Sequence, residues 1–373
     1  MQVLFCMTAS GTGVPGGHQT QITQTAAHLE ALGVHTRITH DGTPDLTGID
    51  IVHNFGLKPE HMRRIRDQGV PIVTSTIYWN RDYAYGLTAY RNWWEKMKPR
   101  FRMALVLARS AWRGQYPEKC EALMDRQIRL RVVYELSDLL LPNSQSEADA
   151  VYRELGVSTP YHVAPNAVDP RLFTLPEPPL ASRAGAVYVG RFEPHKNQMG
   201  LIQAMRGAQI PVHILATKHP HHERYYLECQ RLAAKCRNVT LTVAPNFAQL
   251  RAAYQQARVH VLPSWFETTG LVSLEAALCG CNIVTTQRGF ARDYFGDQAW
   301  YCDPGRPASI RTAIEAAHAV PYRSELRERI LNRFTWRQTA AETLAGYQKV
   351  LHLRRAGVTS GTSTPEPLVT TTV

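Results

Sequence analysis

Two cations and two carboxylates in this chain have the types and the spacing to bind an anionic ligand and act on it. Arg191 and Lys196 lie in Gly190-Arg191-Phe192-Glu193-Pro194-His195-Lys196, directly after an apolar run, 186–189, that reads as a strand. Ligands of parallel α/β sheets bind at the carboxyl ends of strands, and two cations placed there can clamp a diphosphate. Negative charge grows on a leaving phosphate as the bond to it breaks, so these cations would stabilise the transition state more than the ground state. Glu267 and Glu275 are separated by seven residues in the stretch PSWFETTGLVSLEAALCG, 263–280. A helix start falls between them. The free backbone amides near Gly270 to Val272 would face an anion, while Glu275 can accept hydrogen bonds from ribose hydroxyls and Glu267 from a donor sugar. Taken singly, each residue also reads as an ordinary surface charge or as a glutamate favoured early in a helix by its dipole.

A Gly-rich turn supplies a third candidate. Gly11-Thr12-Gly13-Val14-Pro15-Gly16 matches G-x-G-x-x-G, and Asp41 stands at the end of the expected second strand. Gly17 and the internal proline are atypical of a dinucleotide fingerprint. The physical content of the turn is a close backbone approach to phosphate at a helix N-terminus. NAD binding and a turn without function both remain open from these residues.

Positioning such groups requires a particular architecture. Residues 1–7, 50–53, 71–74 and 138–142 read as strands alternating with helical stretches such as 18–32, as a parallel sheet with crossovers demands. A Pro-rich segment, 173–185, suits a linker. Beyond it the alternation resumes with strands at 186–189, 212–216, 239–243, 259–263 and 282–285. The expectation is therefore α/β: two doubly wound, Rossmann-like domains, 1–172 and 186–333, facing each other across a cleft. Residues 357–373 are rich in Ser, Thr, Gly and Pro without periodicity and read as a disordered tail.

In this order along the chain, the Gly16-Gly17 pair, PNAVD at 165–169, the Arg191 and Lys196 pair and the E-x7-E element from Glu267 to Glu275 resemble the family 4 retaining glycosyltransferases of the GT-B fold. The resemblance spans nearly the whole chain. It implies a hexosyltransferase that uses a nucleotide-sugar, with UDP favoured over GDP, and needs neither a cofactor nor a metal. By the same resemblance Gly16 and Gly17 approach the donor phosphates, Arg191 and Lys196 hold the diphosphate, Glu267 contacts the sugar and Glu275 the ribose. Thr269, Gly270, Leu271 and Val272 complete the donor site, and a C-terminal helix, 334–355, returns to the first domain. The acceptor would be a hydroxyl of a glycan or lipid-linked molecule, in surface polysaccharide or glycolipid assembly.

Two departures from that family are visible. Many relatives carry a histidine after the strand at 71–74, where this chain has Ser75, Thr76, Ile77, Tyr78 and Trp79. His18 is the candidate substitute, with Tyr78 and Trp79 beside the acceptor. The usual E-G-F-G-L loop reads Glu267-Thr268-Thr269-Gly270-Leu271, so sugar contacts are expected to differ.

Composition narrows the remaining possibilities. The chain has 373 residues, 44% hydrophobic and 20% charged, without a stretch resembling a membrane span. Its seven cysteines are odd in number and scattered, and residues 1–7 carry no secretory signal, which together point to a cytoplasmic protein. A net charge of +11 suits a polyanionic partner or an anionic membrane surface without choosing between them. The basic segment 96–113 reads equally as a peripheral contact with the anionic inner face of a membrane or as a structural helix with a basic outer face, and nucleic acid is not expected, since no nucleic-acid module is recognisable. His219, His221 and His222 are poorly spaced for a metal and read as an exposed loop. An epimerase or phosphorylase of similar architecture is the alternative enzyme, and an NAD-dependent oxidoreductase leaves the Glu267 to Glu275 element unexplained.

Overall fold

The computed structural model describes residues 1–7, 16–79, 126–176 and 183–355. Most of the Gly-rich turn, the basic segment 96–113, the middle of the Pro-rich segment and the tail 357–373 lie outside the described residues.

The N-terminal lobe contains β1 (Gln2–Met7), α1 (Gly17–Glu30), β2 (His35–Thr39), β3 (Ile51–Phe55), α2 (Pro59–Asp67), β4 (Ile72–Ser75), α3 (Arg126–Glu135), β5 (Leu139–Leu141) and α4 (Gln145–Leu155). Its strands form one parallel sheet in the order β2-β1-β3-β4-β5. β3 and β5 are buried along their whole length, because helices cover both faces of the sheet.

The C-terminal lobe repeats the plan. It runs β6 (Ala186–Arg191), α5 (Gln198–Met205), β7 (Val212–Thr217), α6 (Glu223–Ala233), β8 (Val239–Val243), α7 (Phe247–Gln256), β9 (Val259–Leu262), α8 (Leu271–Leu278), β10 (Asn282–Thr286), α9 (Ala291–Phe295), β11 (Trp300–Cys302) and α10 (Pro307–Ala319). The sheet order is β11-β10-β9-β6-β7-β8, again all parallel. Short β11, half-buried along most of its length, had no signal in the sequence reading.

Two helices close the described chain. α11 (Glu325–Arg333) packs on the C-terminal lobe through Leu326 and Ile330. After a break at Phe334 and Thr335, α12 (Trp336–Arg355) crosses back and places Ala340, Tyr347 and Val350 in the N-terminal core beside Val3, Phe5 and Leu29. The Pro-rich segment is anchored at both described ends rather than free. Phe173 is buried against Phe247 and Tyr254, and the Arg183 guanidinium sits among the carbonyl oxygens of Tyr254, Gln255, Cys279 and Gly280. All six cysteines among the described residues are free, and no described helix is long and apolar enough to cross a membrane.

Candidate active site

Each sheet has a point where successive crossovers leave in opposite directions: between β1 and β3 in the first lobe, and between β6 and β9 in the second. Such switch points open a crevice at the carboxyl ends of the strands. Here the two crevices share one cleft of about 460 Å³. From the C-terminal lobe it is lined by Arg191, His195, Lys196, Glu267, Thr269, Gly270, Leu271, Val272 and Glu275, among others; from the N-terminal lobe by residues including Gly16, Gly17, His18, Ile77 and Trp79.

The loop leaving β6 holds its charges tightly. Arg191 Nε lies 2.6 Å from Glu193 Oε1, and His195 Nδ1 lies 3.0 Å from Glu193 Oε2. Burial alone would raise the Glu193 carboxyl, but the hydrogen bond to His195 and the neighbouring charges of Arg191 and Lys196 outweigh it and hold the group at about 2. Lys196 Nζ reaches Glu267 Oε1 at 2.5 Å. Each expected diphosphate cation is therefore paired with a carboxylate. Asn197, in the left-handed region at φ 57°, bonds the carbonyls of Pro263 and Pro304 and ties this loop to the one leaving β9.

Glu267 is fixed from behind. Its N–H donates to Arg288 O, and Phe290 N–H donates to Glu267 O. Gly289 lies so close to the Glu267 backbone, at φ 102°, that a side chain there would collide with the Glu267 carbonyl. Past the loop, α8 starts at Gly270 with its first N–H groups free of any side-chain cap, which makes it a natural anion site. Glu275, on the same helix, keeps part of its surface open and accepts from Tyr254 Oη at 3.0 Å. Burial pushes it up to about 7, against the opposing pull of that hydrogen bond.

The N-terminal lobe approaches from across the cleft. A Cβ on Gly16 would lie 3.1 Å from Arg191 Nη1, and one on Gly17 would lie 3.1 Å from Leu271 Cδ1. The glycine pair thus lets the start of α1 close onto the cations and the start of α8. Thr76 to Trp79 continue from β4 with strand-like alternation: Ile77 and Trp79 line the cleft while Thr76 and Tyr78 are buried on the other side. This corrects the expectation for Tyr78. Its hydroxyl donates to Glu154 Oε2 at 2.6 Å and its N–H to Glu147 Oε1 at 2.6 Å, away from the cleft.

His18 lines the cleft with its ring 5.7 Å from that of Phe55. A different histidine, His53, lies one strand away from the position vacated in the family pattern, buried between Tyr347 Oη and Ser75 Oγ, where burial drives it down to about 3. His219 is less exposed than its motif implied: the ring is packed near those of His221 and His222, and Nε2 lies 3.9 Å from Glu193 Oε1.

Several residues with roles in this geometry had not been singled out. Glu193 anchors two side chains of the cleft. His195 lies in the cleft with its ring 5.4 Å from that of Trp79. Asn166, inside the quoted PNAVD motif, is buried; its N–H donates to Tyr294 Oη at 3.0 Å and its Nδ2 to Thr269 Oγ1 at 3.2 Å, while Oδ1 has no protein partner. Tyr294 in turn donates to Asn143 O at 2.6 Å, and Ser146 Oγ to Asp293 at 2.6 Å, joining the lobes beside the cleft.

Comparison with known proteins places this geometry. Residues 181–333 match the family model described as Glycosyl transferases group 1. Over 91% of its length the chain is 26% identical to a protein of Arthrobacter sp. (strain FB24) named D-inositol 3-phosphate glycosyltransferase, of which 92% is covered. Among solved structures, sucrose-phosphate synthase from Thermosynechococcus elongatus aligns with a TM-score of 0.72 at 17% identity, over 94% of this chain and 99% of that one. Anabaena HepE in complex with UDP and glucose aligns at 0.64 and 16%, over 92% and 99%. The fold is GT-B, two Rossmann-like domains facing across a cleft, and the family and sequence likenesses support a glycosyltransferase.

Proposed function

We propose that this protein is a retaining hexosyltransferase that carries a sugar from a nucleoside diphosphate, UDP in preference to GDP, to an acceptor hydroxyl. The observation that carries the reading is the convergence, in one cleft, of Arg191, Lys196 and the starts of α1 and α8 on a position that two carboxylates, Glu267 and Glu275, flank. An anion bridging the lobes there would meet two cations and two sets of free helix amides.

In this scheme the donor diphosphate takes Lys196 from Glu267 and shares Arg191 with Glu193. Glu267 is then released to accept from sugar hydroxyls, and Glu275 accepts from the ribose. As the glycosidic bond lengthens, charge builds on the departing diphosphate and is met by Arg191 and Lys196 without a required divalent metal. The acceptor hydroxyl attacks from the same face, giving retention, and its proton passes to the leaving phosphate. The UDP and glucose held by the Anabaena neighbour support the choice of base and sugar class.

For the acceptor, we favour a glycan or lipid-linked hydroxyl in polysaccharide or glycolipid assembly. The name of the Arthrobacter relative favours a second reading, a phosphorylated cyclic polyol. A thermal-shift screen of UDP, GDP, ADP, NAD and their sugars tests the donor class, since a ligand at a hundredfold its dissociation constant adds about 2.7 kcal/mol. Stabilisation by UDP or UDP-sugar that is sharply reduced in Glu275→Ala is the expected result. A response to NAD alone would overturn the reading.

A further inference from the structure

His195 stands between Arg191 and Lys196 on the loop leaving β6, and its side chain, 14% exposed, lines the cleft. Its Nδ1 faces the ionised Glu193 carboxylate at 3.0 Å. A carboxylate only accepts, so Nδ1 carries the hydrogen, and the neutral ring has its lone pair on Nε2. A phosphate oxygen also only accepts. An imidazole in a diphosphate pocket becomes a favourable neighbour once Nε2 is protonated, when both ring nitrogens donate.

The ring's surroundings leave that proton finely balanced. Glu193, Arg191 and Lys196 face it from its own loop, and Glu267 from the loop after β9. His219 and His222 approach from the turn after β7. The N-terminal lobe contributes the uncharged Trp79 ring. Burial, followed by the charge of Lys196, lowers His195 from its ordinary value, while Glu193 and Glu267 act in the other direction. An incoming diphosphate adds negative charge and engages Lys196, tipping the balance towards the imidazolium.

We propose that His195 is a third diphosphate-binding group, neutral in the empty cleft, which takes up one proton from solvent on Nε2 as the donor enters. The inference rests on the donor reading above and deepens it: His195 should favour donor binding as pH falls, opposite in sign to Glu275, through a side chain outside the Arg191 and Lys196 pair.

The test is calorimetric titration of the full chain with UDP-glucose at about pH 6.5 and about pH 7.5, in two buffers of different ionisation enthalpy. The diphosphate diester of this probe does not titrate in that range. Relative to His195→Gln, wild type should take up a substantial fraction of a proton more per donor bound, and its affinity advantage over that variant should shrink several-fold at the higher pH. His195→Gln should show only the release from Glu275 and so bind more tightly at the higher pH, and His195→Lys should bind more tightly than His195→Gln at both values without added uptake. His219→Gln should keep the uptake. Proton release from Glu275 on ribose binding has the opposite sign and is common to these variants, so the difference between wild type and His195→Gln isolates the histidine. A proton balance in wild type no different from that of His195→Gln, or a difference that disappears in His219→Gln, would overturn the inference while leaving the donor reading standing. Failure of UDP-glucose to bind would remove both.

Discussion

Around the cleft the C-terminal sheet contributes Arg191, His195, Lys196, Glu267 and Glu275, whereas the described part of the N-terminal sheet edge contributes Gly16, Gly17, His18, Ile77 and Trp79. The two edges arise from the same kind of parallel sheet, yet one brings charge already paired within its own lobe and the other brings backbone amides, a histidine and apolar walls. The contrast has a physical logic. In the proposed reaction, charge that stabilises a departing diphosphate works best when oriented in advance, and the ion pairs through Glu193 and Glu267 hold it in place within one lobe. The facing lobe has only to approach closely and exclude water.

The strongest way to break this division is to remove the charge. Arg191→Ala combined with Lys196→Ala should lower turnover by roughly a thousandfold or more in single-turnover assays, and near-normal turnover would remove the pair from the chemistry. Gly16→Val attacks the same phosphates from the other lobe without touching a charge. With only 3.1 Å between a Cβ at Gly16 and Arg191 Nη1, the branched side chain should prevent close approach and weaken UDP binding by about a hundredfold, read by calorimetry. An unchanged affinity would mean that the lobes need not meet there.

Glu275 sharpens the comparison through pH. Burial raises its carboxyl to about 7, so the anion proposed to bind the ribose is present above that value and lost as pH falls through it. Glu275→Gln should weaken UDP binding by about tenfold above pH 7 and by less below it. A uniform loss across the range would show that ionisation does not matter. The smallest effect is expected on the uncharged wall: Trp79→Ala should raise the acceptor KM by about fivefold while changing UDP affinity by less than about twofold. The reverse pattern would place Trp79 on the donor side.

What could be read from the sequence follows the same division. Arg191, Lys196, Glu267 and Glu275 are legible because strand, loop and helix signals put each at the carboxyl edge of a sheet. Their partners are not: Glu193 reads as one more surface charge until the structure shows it buried with Arg191 on one side and His195 on the other. Tyr78 and Trp79 could have been separated by continuing the β4 alternation past Thr76, a local signal that was present. The pairing of Asn166 with Thr269 and Tyr294 spans 103 and 128 residues of chain, and no periodicity in the text encodes contacts of that range. The fold was more legible than the site, since apolar runs mark strands wherever they occur, and the strand missed, β11, is only the three residues Trp300–Cys302, with no aliphatic run to mark it.

The return of α12 bears on how the protein is made. Tyr347 meets His53 across 294 residues, so the first lobe to leave the ribosome lacks part of its core until nearly all of the described chain has been synthesised. The C-terminal lobe, whose strands and covering helices are contiguous from 186 to 333, can collapse on its own while the N-terminal sheet waits with one apolar face incompletely covered. Domains usually complete in the order of synthesis; here the helix that completes the first lobe follows the second lobe in the chain, and cleavage between α11 and α12 should expose the older lobe to aggregation while sparing the younger.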